Sequence, residues 1–382
     1  MSKTRDVFRT GCFAAVAAFA LAFVAPPSAF ADGELELGGL RLAALQADIE
    51  PGDNALNGLD AVDLDPEDGG WDWFTTTSAT EHTANPSPTN TYGVTAMGAL
   101  RAFVRGTPDP RYFRTALIAE QKMDELSMDR NPDFVFRIFL SKLAADPSFA
   151  ETARTLWINK MNAFGGAQAY GEYVRDVRAS QGIGAIYPWD LMWAVVSASF
   201  LEKTFPDEGF RSDALSLAFV IFADTQSVTP IFRIADHTQD YHSIGLTGLI
   251  IAFRMARQYD AVRDEAYDVL LANQNLDGGF NWNATYTDSD AQVTAYAVLA
   301  ASVLKSDPRS VPAAQRGSDW MATLQQPNGS FDNYGDGSDY TEVDSEILVA
   351  FSRVAPASSF TRGGGGRVGT RRPPGHATAI VD

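Results

Sequence analysis

Cysteine is nearly absent from this 382-residue sequence: Cys12 is the only one, and it falls in a segment with the character of a removable leader. A disulfide framework, a thiolate nucleophile and cysteine-ligated zinc are thereby excluded from the mature chain. Basic residues are few beside acidic ones, 30 against 48, for a net charge of -18. That balance argues against nucleic acid and anionic bilayers as partners, because both need clustered Lys and Arg. Past the leader, no apolar run reaches the roughly 18 residues of a membrane span, so no stable membrane insertion is expected. Strict alternation of apolar and polar residues, the mark of half-buried strands, is also scarce.

What the chain does have begins with that leader. Lys3, Arg5 and Arg9 form a basic start, Cys12 to Val24 an apolar stretch, and Ser28-Ala29-Phe30-Ala31 a small-residue cleavage site. Residues 1–31 are predicted to be a signal peptide cleaved near Ala31, which makes the mature protein secreted or periplasmic. Cys12 opens the apolar stretch instead of following it, which argues against a lipid anchor.

From there on apolar residues recur at helical spacing, as in Tyr92 to Arg105 and Asp190 to Lys203, so the expected class is all-α. Breakers such as Arg130-Asn131-Pro132, Asp146-Pro147, Asp277-Gly278-Gly279 and Asp307-Pro308 divide the chain into helical hairpins. The hairpins repeat. Gln274-Asn275-Leu276-Asp277-Gly278-Gly279-Phe280 returns as Gln325-Gln326-Pro327-Asn328-Gly329-Ser330-Phe331 and as Asp68-Gly69-Gly70-Trp71. The helices that follow align too, Val94-Thr95-Ala96-Met97 with Val293-Thr294-Ala295-Tyr296 and Val343-Asp344-Ser345-Glu346.

Self-similarity at this period means stacked units. Helices of a first type are expected to start near Thr91, Pro132, Pro188, Tyr241, Ser289 and Tyr340, with second-type helices between them and an earliest one at Asp53 to Leu64. About six inner and six outer helices would then close an α/α toroid over residues 32–354; an open solenoid is the alternative. The Gly-rich segment of about 164–186 is expected as an insertion on one rim. The Gly/Arg-rich tail, residues 355–382, has a composition that cannot build a core and is expected to be disordered.

The repeated motifs resemble the QW repeats of squalene cyclases and protein prenyltransferase β subunits, members of the terpenoid cyclase and prenyltransferase toroid superfamily. The resemblance covers Tyr241 to Val354 most strongly and implies an α/α toroid whose cavity takes a small apolar or amphiphilic ligand. The D-x-D-D proton donor of the squalene-hopene cyclases has its nearest match in Asp288-Ser289-Asp290-Ala291, which departs at the fourth place. The prenyltransferase zinc set of Asp, Cys and His lacks its Cys in the mature chain. Independently of any family, Gly in the Asp-Gly-Gly turn permits positive φ at a helix end, the aromatic closes over that end, and the Gln can bond the freed backbone groups.

The residues richest in chemistry are Arg233-Ile234-Ala235-Asp236-His237-Thr238-Gln239-Asp240-Tyr241-His242, in a loop that leads into a lining helix. Three readings stand open: a metal site of imidazoles and carboxylate, an acid-base site, or helix capping by Asp240 with ordinary surface polarity. The catalytic candidates are Asp236, His237, Tyr241 and His242, with Asp288 and Asp290 as an acidic pair across the cavity. The substrate-binding candidates are Arg233, Tyr92, Trp189, Trp193, Trp282, Tyr286 and Tyr340, whose rings could stack on a sugar or shield a carbocation. Arg233 and Arg137 could neutralise an acidic sugar. His82 is placed on the same rim. The loop Asp332 to Asp339 matches a calcium loop at its first, fifth and sixth places only. No metal ligands are assigned and the cofactor is left unknown, a divalent metal such as calcium or zinc being the class such residues could hold.

The expected function is that of an exported toroid binding a small apolar or amphiphilic ligand, or a glycan. The alternatives are a polysaccharide lyase or glycoside hydrolase on the same fold, and a catalytically silent binding module.

Overall fold

A computed structural model describes residues 91–105, 110–125, 127–325, 331–333, 341–354 and 356. The leader, the Asp53 to Leu64 helix, the Asp68 to Trp71 copy of the repeat, His82, Tyr340, Ala355 and residues 357–382 of the tail, and most of the Asp332 to Asp339 loop lie outside the described residues.

The described residues form twelve α-helices: α1 (Thr91–Arg105), α2 (Pro110–Glu125), α3 (Asn131–Ala144), α4 (Ser148–Phe164), α5 (Ala167–Ser180), α6 (Tyr187–Thr204), α7 (Phe210–Thr225), α8 (Ser243–Ala256), α9 (Asp260–Ala272), α10 (Ala291–Val303), α11 (Ser310–Thr323) and α12 (Thr341–Phe351). One two-stranded antiparallel ribbon, β1 (Phe280–Asn281) with β2 (Ser289–Asp290), precedes α10. The first-type helices start within two residues of their expected positions. Their starts are set locally: Pro132 and Pro188 sit in the first turns of α3 and α6, where no amide is needed, and Asp290 caps α10 by accepting from the Val293 amide at 2.8 Å.

Two kinds of helix result. In α8, twelve of fourteen residues are buried, whereas in α9 only Ala266, Tyr267 and Leu270 are. A helix buried on all sides must be inside, and one with a single apolar stripe must lie on it from outside. The inner helices α1, α3, α6, α8, α10 and α12 pack in that order, and α12 packs back along α1. This is a closed α/α toroid, as the repeats and the QW resemblance implied, and the open solenoid is excluded. The helices α2, α4, α7, α9 and α11 lie behind their inner partners, and α5 packs on α7 and α6.

Ring closure needs close backbone approach. A Cβ on Gly98 of α1 would stand 2.8 Å from the Ser345 Cβ of α12, and one on Gly248 of α8 would stand 2.4 Å from the Trp189 backbone of α6. Neither neighbour has room to give, so glycine is required at both seams. The repeated turn acts as the staple its sequence suggested. Gly278 takes φ +102°, Phe280 is buried, and Gln274 Nε2 donates to the Gly278 carbonyl at 2.8 Å and to the Ala313 carbonyl of α11 at 2.9 Å. Gln274 bridges Phe280, and Gln325 bridges Phe331 in the later copy.

Candidate functional site

At the mouth of the ring where α8 and α10 begin, short backbone pairings gather side chains that are far apart in sequence. His242 pairs with Asn283, Asn281 with Ser289, and Phe280 with Asp290, while the Ser243 amide donates to the Trp282 carbonyl at 3.0 Å. Tyr241, His242, Trp282 and Asp290 are thus brought to one place. The Tyr241 hydroxyl accepts from Asn281 Nδ2 at 2.5 Å, and the His242 ring meets the Trp282 ring edge-on at 5.0 Å. Burial pushes the His242 imidazole down to about 4, so it is neutral at ordinary pH, and its Nδ1 has no partner among the described residues. Burial pushes the Asp290 carboxyl up to about 6 against the bonds from the backbone amides of α10.

Deeper in the ring, α6, α10 and α12 converge on Tyr296. Trp189 and Trp193 meet its ring edge-on, at centroid distances of 5.6 and 6.4 Å. The Trp193 indole N–H donates to the Tyr296 oxygen at 3.2 Å, and the Tyr296 hydroxyl donates to Glu346 Oε1 at 2.6 Å. Desolvation first, and then the negative charge of Glu342, hold the Glu346 carboxyl well above the ordinary glutamate range; Asp290 adds to this, while the bond from Tyr296 and the nearby Gln292 amide oppose it. Two buried polar atoms here have no partner among the described residues: Trp189 Nε1 and Glu346 Oε2. Buried polar atoms usually have a partner, so these two are candidates for meeting a further group, although Arg137 Nη2 and Ser199 Oγ are left the same way elsewhere.

Other candidates are placed elsewhere. Arg233, Asp236, His237 and Asp240 are exposed. Asp236 is tied to its own loop, accepting from the Thr238 amide and hydroxyl. Arg233, Asp236, Gln239 and Asp240 line an open hollow with Glu265 of α9 and Thr225 at the end of α7, among the outer helices. Tyr286 and Asp288 are exposed, and Tyr92 is buried on α1. Arg137 is fully buried, and its Nε donates to both carboxylate oxygens of Glu120 at 3.0 Å, so its charge is engaged between α2 and α3. Among the described residues, no three His, Cys, Asp or Glu side chains come together as a metal site.

Glu346 and Tyr296 were not singled out by sequence reasoning, although a signal existed. In the repeat alignment they occupy the same position of two successive inner helices, and Glu346 is an acid on a face that carries Met97 in the first copy. A polar residue at a lining position of a helix buried all round is a candidate for the cavity.

No protein-family model matches the chain, and no curated protein matches it. Solved structures do. An inactive variant of the α-1,6-mannanase GH76A of Salegentibacter sp. HEL1_6, in complex with α-1,6-mannotriose, superposes with a TM-score of 0.52 at 11% identity, covering 84% of this chain and 99% of that one. The type II terpene cyclase MstE of Scytonema, with geranylgeranyl dihydroxybenzoate, superposes with a TM-score of 0.48 at 13% identity, covering 83% of this chain and 96% of that one. The similarity to the mannanase is one of fold.

Proposed function

We propose that this chain is an exported protein that binds an uncharged glycan at the mouth and in the interior of its helical ring. The observation that carries this reading is the pair of unpartnered buried atoms beside Tyr296, Trp189 Nε1 and Glu346 Oε2, in a wall of aromatic rings. An indole N–H can only donate, while a carboxyl oxygen can accept or, when protonated, donate. Hydroxyl groups satisfy both, and the faces of Trp and Tyr suit the C–H faces of a sugar ring.

Charge supports an uncharged ligand. Asp290 and Glu342 make the interior acidic, Arg137 is engaged with Glu120, and Arg233 lies in the outer hollow. A uronate would meet no free cation among these residues. The mannanase that shares this fold was solved with a neutral oligosaccharide, a precedent for that ligand class in such a ring. An isoprenoid would also suit the aromatic wall, but it would leave the Trp189 N–H and His242 Nδ1 unsatisfied at a cost of about 1–3 kcal/mol each. The leader with its cleavage site near Ala31 supports export, where glycans are met.

Calorimetry of the mature chain against mannotriose, other neutral trisaccharides, a uronate trisaccharide and a prenyl alcohol tests this. Neutral sugars are expected to bind, and Trp189→Ala to weaken them at least about tenfold through the lost stacking surface. Binding of the prenyl alcohol or uronate alone, or of nothing, would overturn the reading.

A further inference from the structure

The bonds around Tyr296 determine where a proton resides. The Trp193 indole nitrogen has a hydrogen to give and no lone pair to offer, so the Tyr296 oxygen accepts from it. Tyr296 must then spend its own hydrogen on Glu346 Oε1. Oε1 is an acceptor in this chain of bonds. Among the described residues, the charged groups nearest the carboxyl are Glu342, one turn earlier on α12, and Asp290 at the head of α10; Tyr296, which donates to Oε1, and the nearby Gln292 amide are neutral. Both of these neighbours are acidic, so burial among them favours the protonated form of the carboxyl. With Oε1 accepting, the hydrogen of that acid sits on Oε2, which has no hydrogen-bond partner among the described residues.

We propose that Glu346 is the catalytic acid of a glycoside-cleaving site, and that Tyr296 and Trp193 are positioning residues that keep its proton on Oε2. The proposal rests on the glycan reading above. In the step it performs, a water oxygen bonds to the anomeric carbon while the bond from that carbon to the leaving sugar's oxygen breaks. The Oε2 proton passes to the leaving oxygen, and the proton released by the water passes to the Asp290 carboxylate. The products are two shorter sugars, an ionised Glu346 and a protonated Asp290, which exchange protons with solvent. The two carboxyls suit opposite roles because their surroundings differ. Asp290 is held by the amides that open α10, which favour its anion, and Glu346 has no such amides.

The test uses a neutral oligosaccharide found to bind, together with the 2,4-dinitrophenyl glycoside of the same sugar, whose leaving group needs no proton. Glu346→Gln is expected to bind the oligosaccharide within about threefold of wild type and to hydrolyse it about 10²–10⁴-fold more slowly. Its loss on the dinitrophenyl glycoside is expected to be far smaller. Tyr296→Phe removes a bond that favours the Glu346 anion, so the alkaline limb of the kcat profile moves to higher pH as turnover falls. If Tyr296 only supported the fold, activity would fall with that limb unmoved. Oligosaccharides bound but never cleaved, or equal losses on both substrates, would overturn the acid assignment and leave the binding reading intact. Absence of any glycan binding would remove the reading beneath it.

Discussion

Glu120 and Glu346 are both buried in this ring, and they are treated in opposite ways. Glu120, 5% exposed, lies between α2 and α3 against Arg137, which is 0% exposed, in a two-pronged contact at 3.0 Å; Arg137 Nη1 also donates to the Met128 carbonyl at 2.9 Å. Glu346, 2% exposed, has acids and a phenol for neighbours and an oxygen with no partner among the described residues. Burial pushes Glu120 up to about 7 although Arg137 pulls it down, and without a cation Glu346 is held well above its ordinary range. A buried charge that meets its counter-charge can only hold structure, because both members are used up. A buried acid without a cation stays neutral and keeps a proton to give. The first region secures the ring, and the second is the one proposed to act.

Breaking the first region should give the largest effect. Arg137→Met leaves the Glu120 carboxylate buried without its partner, and about 3–5 kcal/mol of stability is expected to be lost at pH 7.5 in urea denaturation. The loss should shrink at pH 5, where the orphaned carboxyl takes up a proton instead of bearing a buried charge. Replacing both residues, Glu120→Leu with Arg137→Met, should recover most of the stability, since neither group is then left alone. If the single variant were as stable as wild type at pH 7.5, the pair would not be holding α2 to α3.

The second region should show itself in pH dependence more than in stability at one pH. A carboxyl whose folded pKa is raised binds more protons in the folded state. Its contribution is complete below the unfolded value, near 4.5, and is lost as pH rises through the folded one. Glu346→Gln removes that proton uptake, so its stability curve should be flatter than wild type from pH 4.5 upward and cross above it at alkaline pH. Asp133 and Asp290, each pushed up to about 6 by burial, and Glu120, pushed up to about 7, keep a residual slope between about pH 4 and 7 in both proteins. Superimposable curves for wild type and variant would mean that Glu346 is ionised in the folded protein, and the contrast with Glu120 would fail.

The ring was legible in the sequence because its signals are local. Pro132, Pro188 and the Asp-Gly-Gly turn each fix a helix end within a few residues, and the difference between inner and outer helices is written in how many positions are apolar. The chemistry is less legible because it depends on direction. Asp236, His237, Tyr241 and His242 are neighbours in the chain, yet the loop leaves the first two in solvent while the pairing of His242 with Asn283 draws the last two to the mouth. Glu346 is a lone acid in an apolar helix, and only the closure of α12 onto α1 and α10 turns it inward against Tyr296. Nor could Gly98 and Gly248 be told from other glycines before the seams they permit were known.

The smallest expected effect concerns the scaffold that delivers Glu346 and Tyr296 to each other. The two repeats place them by the same device: the Phe280 amide donates to Thr294 Oγ1 at 2.9 Å, and the Phe331 amide donates to Asp344 Oδ1 at 3.2 Å, two residues before Tyr296 and Glu346 respectively. Gln274 steadies the first copy by filling the Gly278 and Ala313 carbonyls. Gln274→Ala leaves those acceptors to water and is expected to cost about 1–2 kcal/mol, a fall in melting temperature of a few degrees for a domain of this size. The flattening produced by Glu346→Gln should persist in the Gln274→Ala background, since the turn holds α10 in place without touching the proton on Oε2. If Gln274→Ala abolished that difference between acid and amide, the state of Glu346 would depend on the staple itself, and the division between a region that holds and a region that acts would be drawn in the wrong place.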